Sequence, residues 1–209
     1  MSIQRIKGND LVLASGQPVI QVIVINPPLR GIVAMDLQDD EAQQLYFNEV
    51  VPLGVEELMR SASEQFSPAS AESCLLKAYE MAPNSLTVLV ALYRFYYDQR
   101  RYLDAIHIAS KAMTEVAPLI SFPDHWSEIT FNDLANGVMS SFSLVRFYLL
   151  ALKACAYLHL QINQISEAVR MLNKVVELDI QDRLGAKLML QSLGPVVVVD
   201  NANVTARSS

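Results

Sequence analysis

From about residue 38 onward, apolar residues recur at intervals of three and four, the spacing that gathers them on one face of a helix. The stretch DLQDDEAQQLYFNEVV opens with acids, which favour a helix N-terminus, and Pro52 then interrupts it. Helices are therefore expected near 38–50 and 53–65. Ser67 followed by Pro68 reads as an N-cap with proline at the first helical position, opening a helix to about Met81. Pro83-Asn84-Ser85 is a turn, and helices follow near 86–99 and 102–116. Residues 117–141 break the rhythm with two prolines, a glycine and the only tryptophan, leaving room for a helical turn near 123–129 and another from about 132. The helical spacing returns near 141–161, 164–178 and 181–193, and Gly194-Pro195 ends it.

The two ends are patterned differently. Residues 1–37 hold short β-branched runs separated by Gly and Pro, in LVLASGQPVIQVIVINPP, and Pro195–Val199 is a second β-like run within the tail 194–209. Strands at the two ends could pair with each other and satisfy backbone groups that neither satisfies alone. The expected organisation is an extended segment over 1–37, an all-α domain over 38–193 with an insert at 119–140, and a tail with a short strand at 195–199.

Two segments share one helix-turn-helix pattern, LTVLVALYRFYYDQRRYLDAIHIASKAMTEVAP at 86–118 and FYLLALKACAYLHLQINQISEAVRMLNKVVELDI at 147–180. The residues that carry the pattern are Ala71, Leu75, Ala78 and Pro83, then Leu89, Leu92, Tyr96, Tyr102, Ala105 and Ala112. On these residues the chain resembles the tetratricopeptide repeat, a 34-residue unit of two antiparallel helices. The match is strongest over 67–118. In the later segment Ala156, Tyr157 and Ala168 fit, Ile180 stands in place of a proline, and QINQI reads as a turn about two residues longer. Tyr93 stands where the family prefers a very small residue, which would open the local helix crossing or change its angle.

The resemblance implies a short right-handed solenoid of about three helix pairs that binds a protein or peptide in a concave groove lined by first helices. By position, the groove-facing residues of the better unit are Thr87, Val90, Arg94, Tyr97 and Asp98. In the later unit they are Lys153, Tyr157 and Leu160 under one alignment, or Ala151, Cys155 and Leu158 under the other. Arg94 with Tyr97 suits a segment carrying a carboxylate beside an apolar side chain. Trp126, in the insert, is expected to act as a lid or docking element over that groove.

Composition narrows the partner. A net charge of −6 and a pI near 5.0 speak against a nucleic-acid partner. Charged residues are only 18%, against roughly 25% in an average soluble protein, which points either to an ordinary large core or to apolar surface covered by another protein, by a second copy in a homodimer or by the chain's own ends. Charge is uneven: 36–80 is strongly acidic, whereas 146–187 carries more bases than acids. Phe142–Ile162 is long enough to span a bilayer, but Arg146 and Lys153 interrupt it at a cost of about 2.5–3.5 kcal/mol for a central charge. A membrane location is therefore not expected. Cys74 and Cys155 lack metal-site spacing and suit a reducing cytoplasm, and the mixed charges of the first residues do not read as a signal peptide.

Catalytic signals are weak. His125 has Asp124 and Trp126 as neighbours, yet adjacent residues rarely orient one another as a base and its partner, and no nucleophile motif is present. His107 and His159 have no metal-ligand spacing, and seven glycines form no phosphate-cradling loop. The expectation is a non-catalytic adaptor, scaffold or assembly factor without a cofactor. A self-associating structural protein is the alternative, and an enzyme or small-ligand sensor comes after both.

Overall fold

The computed structural model describes residues 3–5, 11–13 and 51–193. Its body is all-α. Seven helices are described: α1 (Leu53–Glu64), α2 (Pro68–Met81), α3 (Leu86–Asp98), α4 (Tyr102–Val116), α5 (Phe131–Gln161), α6 (Ile165–Leu178) and α7 (Ala186–Ser192). Two short strands, β1 (Ile3–Arg5) and β2 (Leu11–Leu13), pair antiparallel with Ile3 opposite Leu13. The strand expected at 195–199 and the helix expected near 38–50 lie outside the described residues.

α1 packs on α2, α3 on α4 and α5 on α6, each pair joined by a turn too short for anything but an antiparallel hairpin. The turns after α3 and α5 have one construction. Gln99 and Ile162 follow the helices, and Arg100 (φ 56°) and Asn163 (φ 62°) adopt the left-handed conformation. Then Arg101 N donates to Tyr96 O at 2.9 Å and Gln164 N to His159 O at 2.8 Å, the reach-back bond of a helix-ending Schellman turn. The QINQI turn is thus no longer than its counterpart, which corrects the expectation and settles the alignment. Tyr97 corresponds to Leu160, Arg94 to Tyr157 and Val90 to Lys153.

That register extends through the body. α4 begins 34 positions after α2 (Tyr102 against Pro68), and α3 ends 34 after α1 (Asp98 against Glu64). α6 begins 63 positions after α4 (Ile165 against Tyr102), which is 29 more than one period. Equivalent positions carry equivalent burial. Ala71, Ala105 and Ala168 are buried at the helix crossings, and Leu75, Ala109 and Leu172 are buried one turn further on. Small side chains at the first set let the helix backbones approach.

The 29 extra residues fold into the body. Ala117–Ile120 and Trp126–Glu128 form single 3-10 turns, and Ile120, Phe122, Trp126 and Ile129 are all buried. Burying each such side chain contributes about 1.5–3 kcal/mol, so this is core and not a loose lid. Phe122 meets Tyr148 edge-on at 5.1 Å, and Lys174 Nζ of α6 donates to Ile129 O at 3.1 Å, tying the insert to the third pair.

α5 is two helices in one. Ser141 has extended backbone (φ −162°, ψ 104°), and its hydroxyl accepts from Leu144 N at 3.3 Å, capping the second part. The first part starts from a capping box in which Asp133 N donates to the Thr130 hydroxyl and Thr130 N to the Asp133 carboxylate. By length and composition α5 could cross a bilayer, with a mean hydropathy of 1.4. Every residue from Phe147 to Leu158 is buried against neighbouring elements, so that apolarity is used in packing. The helix expected over 181–193 is shorter, because Asp182 and Gly185 take positive φ and delay its start to Ala186.

Candidate interaction surface

The residues picked from the first-helix pattern do come together. Tyr97 stacks on Tyr93 at 6.2 Å between ring centroids, and it meets Tyr157 of α5 at 6.3 Å and Tyr102 at 6.4 Å. The seam joins two helix pairs, but most of it is interior. Val90, Tyr93, Lys153 and Tyr157 are buried, and Lys153 is only 1% exposed. Its ammonium donates to Leu184 O at 2.6 Å, so Lys153 fastens the segment leading into α7 to the long helix. Val90, Lys153 and Tyr157 are buried and therefore do not line an open groove. Trp126, at 9% exposure, is likewise removed from the set of surface contacts.

Arg94 and Tyr97 stay half-buried and Asp98 exposed. Partial burial raises the Asp98 carboxyl above its ordinary value, and the nearby Arg94 guanidinium partly offsets this. Desolvation raises the Tyr93 phenol and pushes the Cys155 thiol up to about 12 and the Tyr148 phenol to about 12, so none of the three is poised to ionise near neutrality. Both cysteines are unpaired. His125 is a local cap: its Nδ1 accepts from Ser127 N at 3.3 Å and lies 2.6 Å from the Ser127 hydroxyl. No cluster of three His, Cys, Asp or Glu side chains able to hold a metal occurs among the described residues.

The open apolar surface lies elsewhere. A trough of about 340 Å³ runs between the first half of α5 and the turn joining α6 to α7. Leu134, Val138 and Phe142 form one wall, Ile180 stands on the other, and the buried Val145, Leu149, Leu178 and Leu184 make the floor. Phe142 is 57% exposed and Ile180 66%, while Phe131 and Met139 beside the wall are 61% and 89% exposed. Among the described residues nothing packs over this apolar stripe of α5. The wall is built by the insert, and Gly137 allows its close approach. A β-carbon there would lie 2.8 Å from the Phe122 ring, 3.0 Å from the Val145 side chain and 3.1 Å from Ile120 O.

Two cations rim the trough. Arg146 and Arg183 are exposed, and neither is in an ion pair among the described residues. The single carboxylate in the lining, Asp179, accepts from Leu184 N at 2.7 Å. Sequence reasoning noted the basic excess of this region and the apolar excess overall, but not the trough. Val138, Met139 and Phe142 give the signal in hindsight, since they continue apolar spacing through a stretch broken by Gly137 and Ser141.

No known family model matches the chain, and no solved structure matches it. The chain is similar to the "Uncharacterized 19.8 kDa protein in nifW 5'region" of Azotobacter chroococcum mcd 1, with 46% identity over 160 residues. The match covers 76% of this chain and 89% of that protein.

Proposed function

The chain belongs to one family with the nifW-region protein of Azotobacter chroococcum, and we propose that it is a non-catalytic protein-binding module of the tetratricopeptide kind. The observation that carries this reading is the trough, a concave surface on which the exposed Val138, Phe142 and Ile180 stand over a buried apolar floor. The 34-position spacing between the first two pairs, with small buried residues at equivalent sites in all three, agrees with the length and packing of the tetratricopeptide unit and supports the finer fold assignment. In that reading the three pairs form a right-handed array, and the insert moves the binding surface from the filled first-helix seam to its own outer face. Val138, Phe142 and Ile180 are 40%, 57% and 66% exposed, so a partner that covers them removes apolar surface from water at the centre of the contact.

The module acts as an adaptor or assembly factor, most naturally in a reducing cytoplasm, with another protein as its partner and without a cofactor. The test is affinity capture from the native source with the wild-type chain and two double variants. Val138→Asp with Phe142→Asp should lose the captured partner while retaining helical circular dichroism. Arg94→Ala with Tyr97→Ala should keep it. Loss only with the second variant would return the binding surface to the first-helix seam and refute the trough. A wild-type dimer dispersed by the first variant would replace the adaptor reading with self-association.

A further inference from the structure

We infer that the trough takes an acidic, amphipathic segment of a partner protein, with large apolar side chains on its floor and carboxylates against Arg146 and Arg183. The inference rests on the trough being the binding surface and adds the chemistry of the occupant. Charge complementarity carries it. The lining holds two exposed guanidinium groups with no ion-pair partner among the described residues. Its one carboxylate, on Asp179, already receives the Leu184 amide. Lys187, whose ammonium lies 3.4 Å from Ile180 O, adds a third positive charge beside the apolar wall.

A guanidinium recognises carboxylate through paired N–H donors, and it gains strength when neighbouring apolar surface excludes water. A segment with acids on either side of bulky apolar residues satisfies both parts of the trough at once. A basic or neutral segment would cover the floor and leave Arg146 and Arg183 facing like charge or nothing. The concave form also matters, since a trough between helices seats protruding side chains of a peptide in the helix-in-groove manner.

The test uses the full chain and two fluorescent helical peptides. Both carry Leu and Phe on one face; one is flanked by Glu, the other by Lys. Anisotropy should show the Glu peptide binding at least about tenfold more tightly, with affinity falling as salt rises, because exposed charge pairs are screened. Reversing the rim with Arg146→Glu and Arg183→Glu should invert the preference, and Phe142→Asp should abolish binding of both peptides.

Equal binding of the two peptides, or a preference untouched by the reversed rim, would overturn the inference. If Val138→Asp with Phe142→Asp still lost the native partner, the trough would stand as the binding surface and only the acidic occupant would fall. Arg146-dependent pelleting with phosphatidylserine vesicles, without peptide selectivity, would overturn it in favour of a lipid surface. A concentration-dependent dimer dispersed by Phe142→Asp would overturn it in favour of a second copy.

Discussion

Gly137→Ala should destabilise the protein, although an alanine in a helix ordinarily stabilises it. Alanine is better than glycine by about 0.8–1.0 kcal/mol in a helix interior. Against that, the new β-carbon would stand 2.8 Å from the Phe122 ring, 3.0 Å from Val145 and 3.1 Å from the Ile120 carbonyl. Phe122 and Val145 are buried, and Phe122 is held edge-on to Tyr148, so neither has space to retreat. Overpacking of this kind costs about 1–3 kcal/mol, leaving a net loss of about 1 kcal/mol.

Gly54→Ala is the internal control. Its β-carbon would meet only the Met81 methyl at 3.0 Å, and Met81 is 55% exposed and can swing aside. That variant should be neutral to modestly stabilising. For a chain of this size 1 kcal/mol moves the melting temperature by about 2–4 °C, so thermal melts should displace the two variants in opposite directions. Equal stabilisation by both alanines would refute the account, because it would mean that the first half of α5 does not rest on the 117–122 turn. The wall of the trough would then have no fixed support.

Further outcomes follow from burial and ionisation. Ellman's reagent should titrate Cys74 but not Cys155 in the native protein at pH 8, and both after denaturation, since Cys155 is buried with its thiol pushed up to about 12. Two rapidly reacting native thiols would contradict the packing of α5. The Asp133 carboxyl is held below its ordinary value by the Thr130 hydroxyl and backbone amide. A depressed folded value favours the native state above the unfolded Asp value, about 3.9, and that contribution is lost as pH falls through the lower folded value. Asp133→Asn should therefore lower the melting temperature near neutrality, with the difference from wild type vanishing in strong acid. A difference that persists at low pH would assign the loss to packing.

The helical body was largely legible because its apolar residues keep helical spacing and its stops are strong: Pro52, Ser67-Pro68 and Pro83-Asn84-Ser85 fall where α1 and α2 begin and α2 ends. The second turn was misjudged because its resemblance to the first is conformational. Arg100 and Asn163 share a left-handed backbone but no side-chain chemistry. Asn, which tolerates that conformation, was the one hint. Position within a repeat also could not reveal that Val90, Lys153 and Tyr157 would be buried, or that the Lys153 ammonium would end on the Leu184 carbonyl.

Trp126 was misread for a related reason. A proline-rich insert with one tryptophan looks like a docking loop, yet burial of Ile120, Phe122 and Ile129 draws it into the core. What the insert leaves outside is the far face of its helix, where Val138, Met139 and Phe142 have nothing over them in the described chain. Their exposure depends on a kink at Ser141 and on a contact at Gly137, and neither is visible from apolar spacing alone.

The most direct measurement places a photoreactive amino acid at position 142 in one chain and at position 98 in another, with irradiation in the native cell. The account expects position 142, in the trough wall, to cross-link to a partner protein, and position 98, at the end of the first-helix seam, to give no such product. Cross-linking from position 98 with none from position 142 would contradict it.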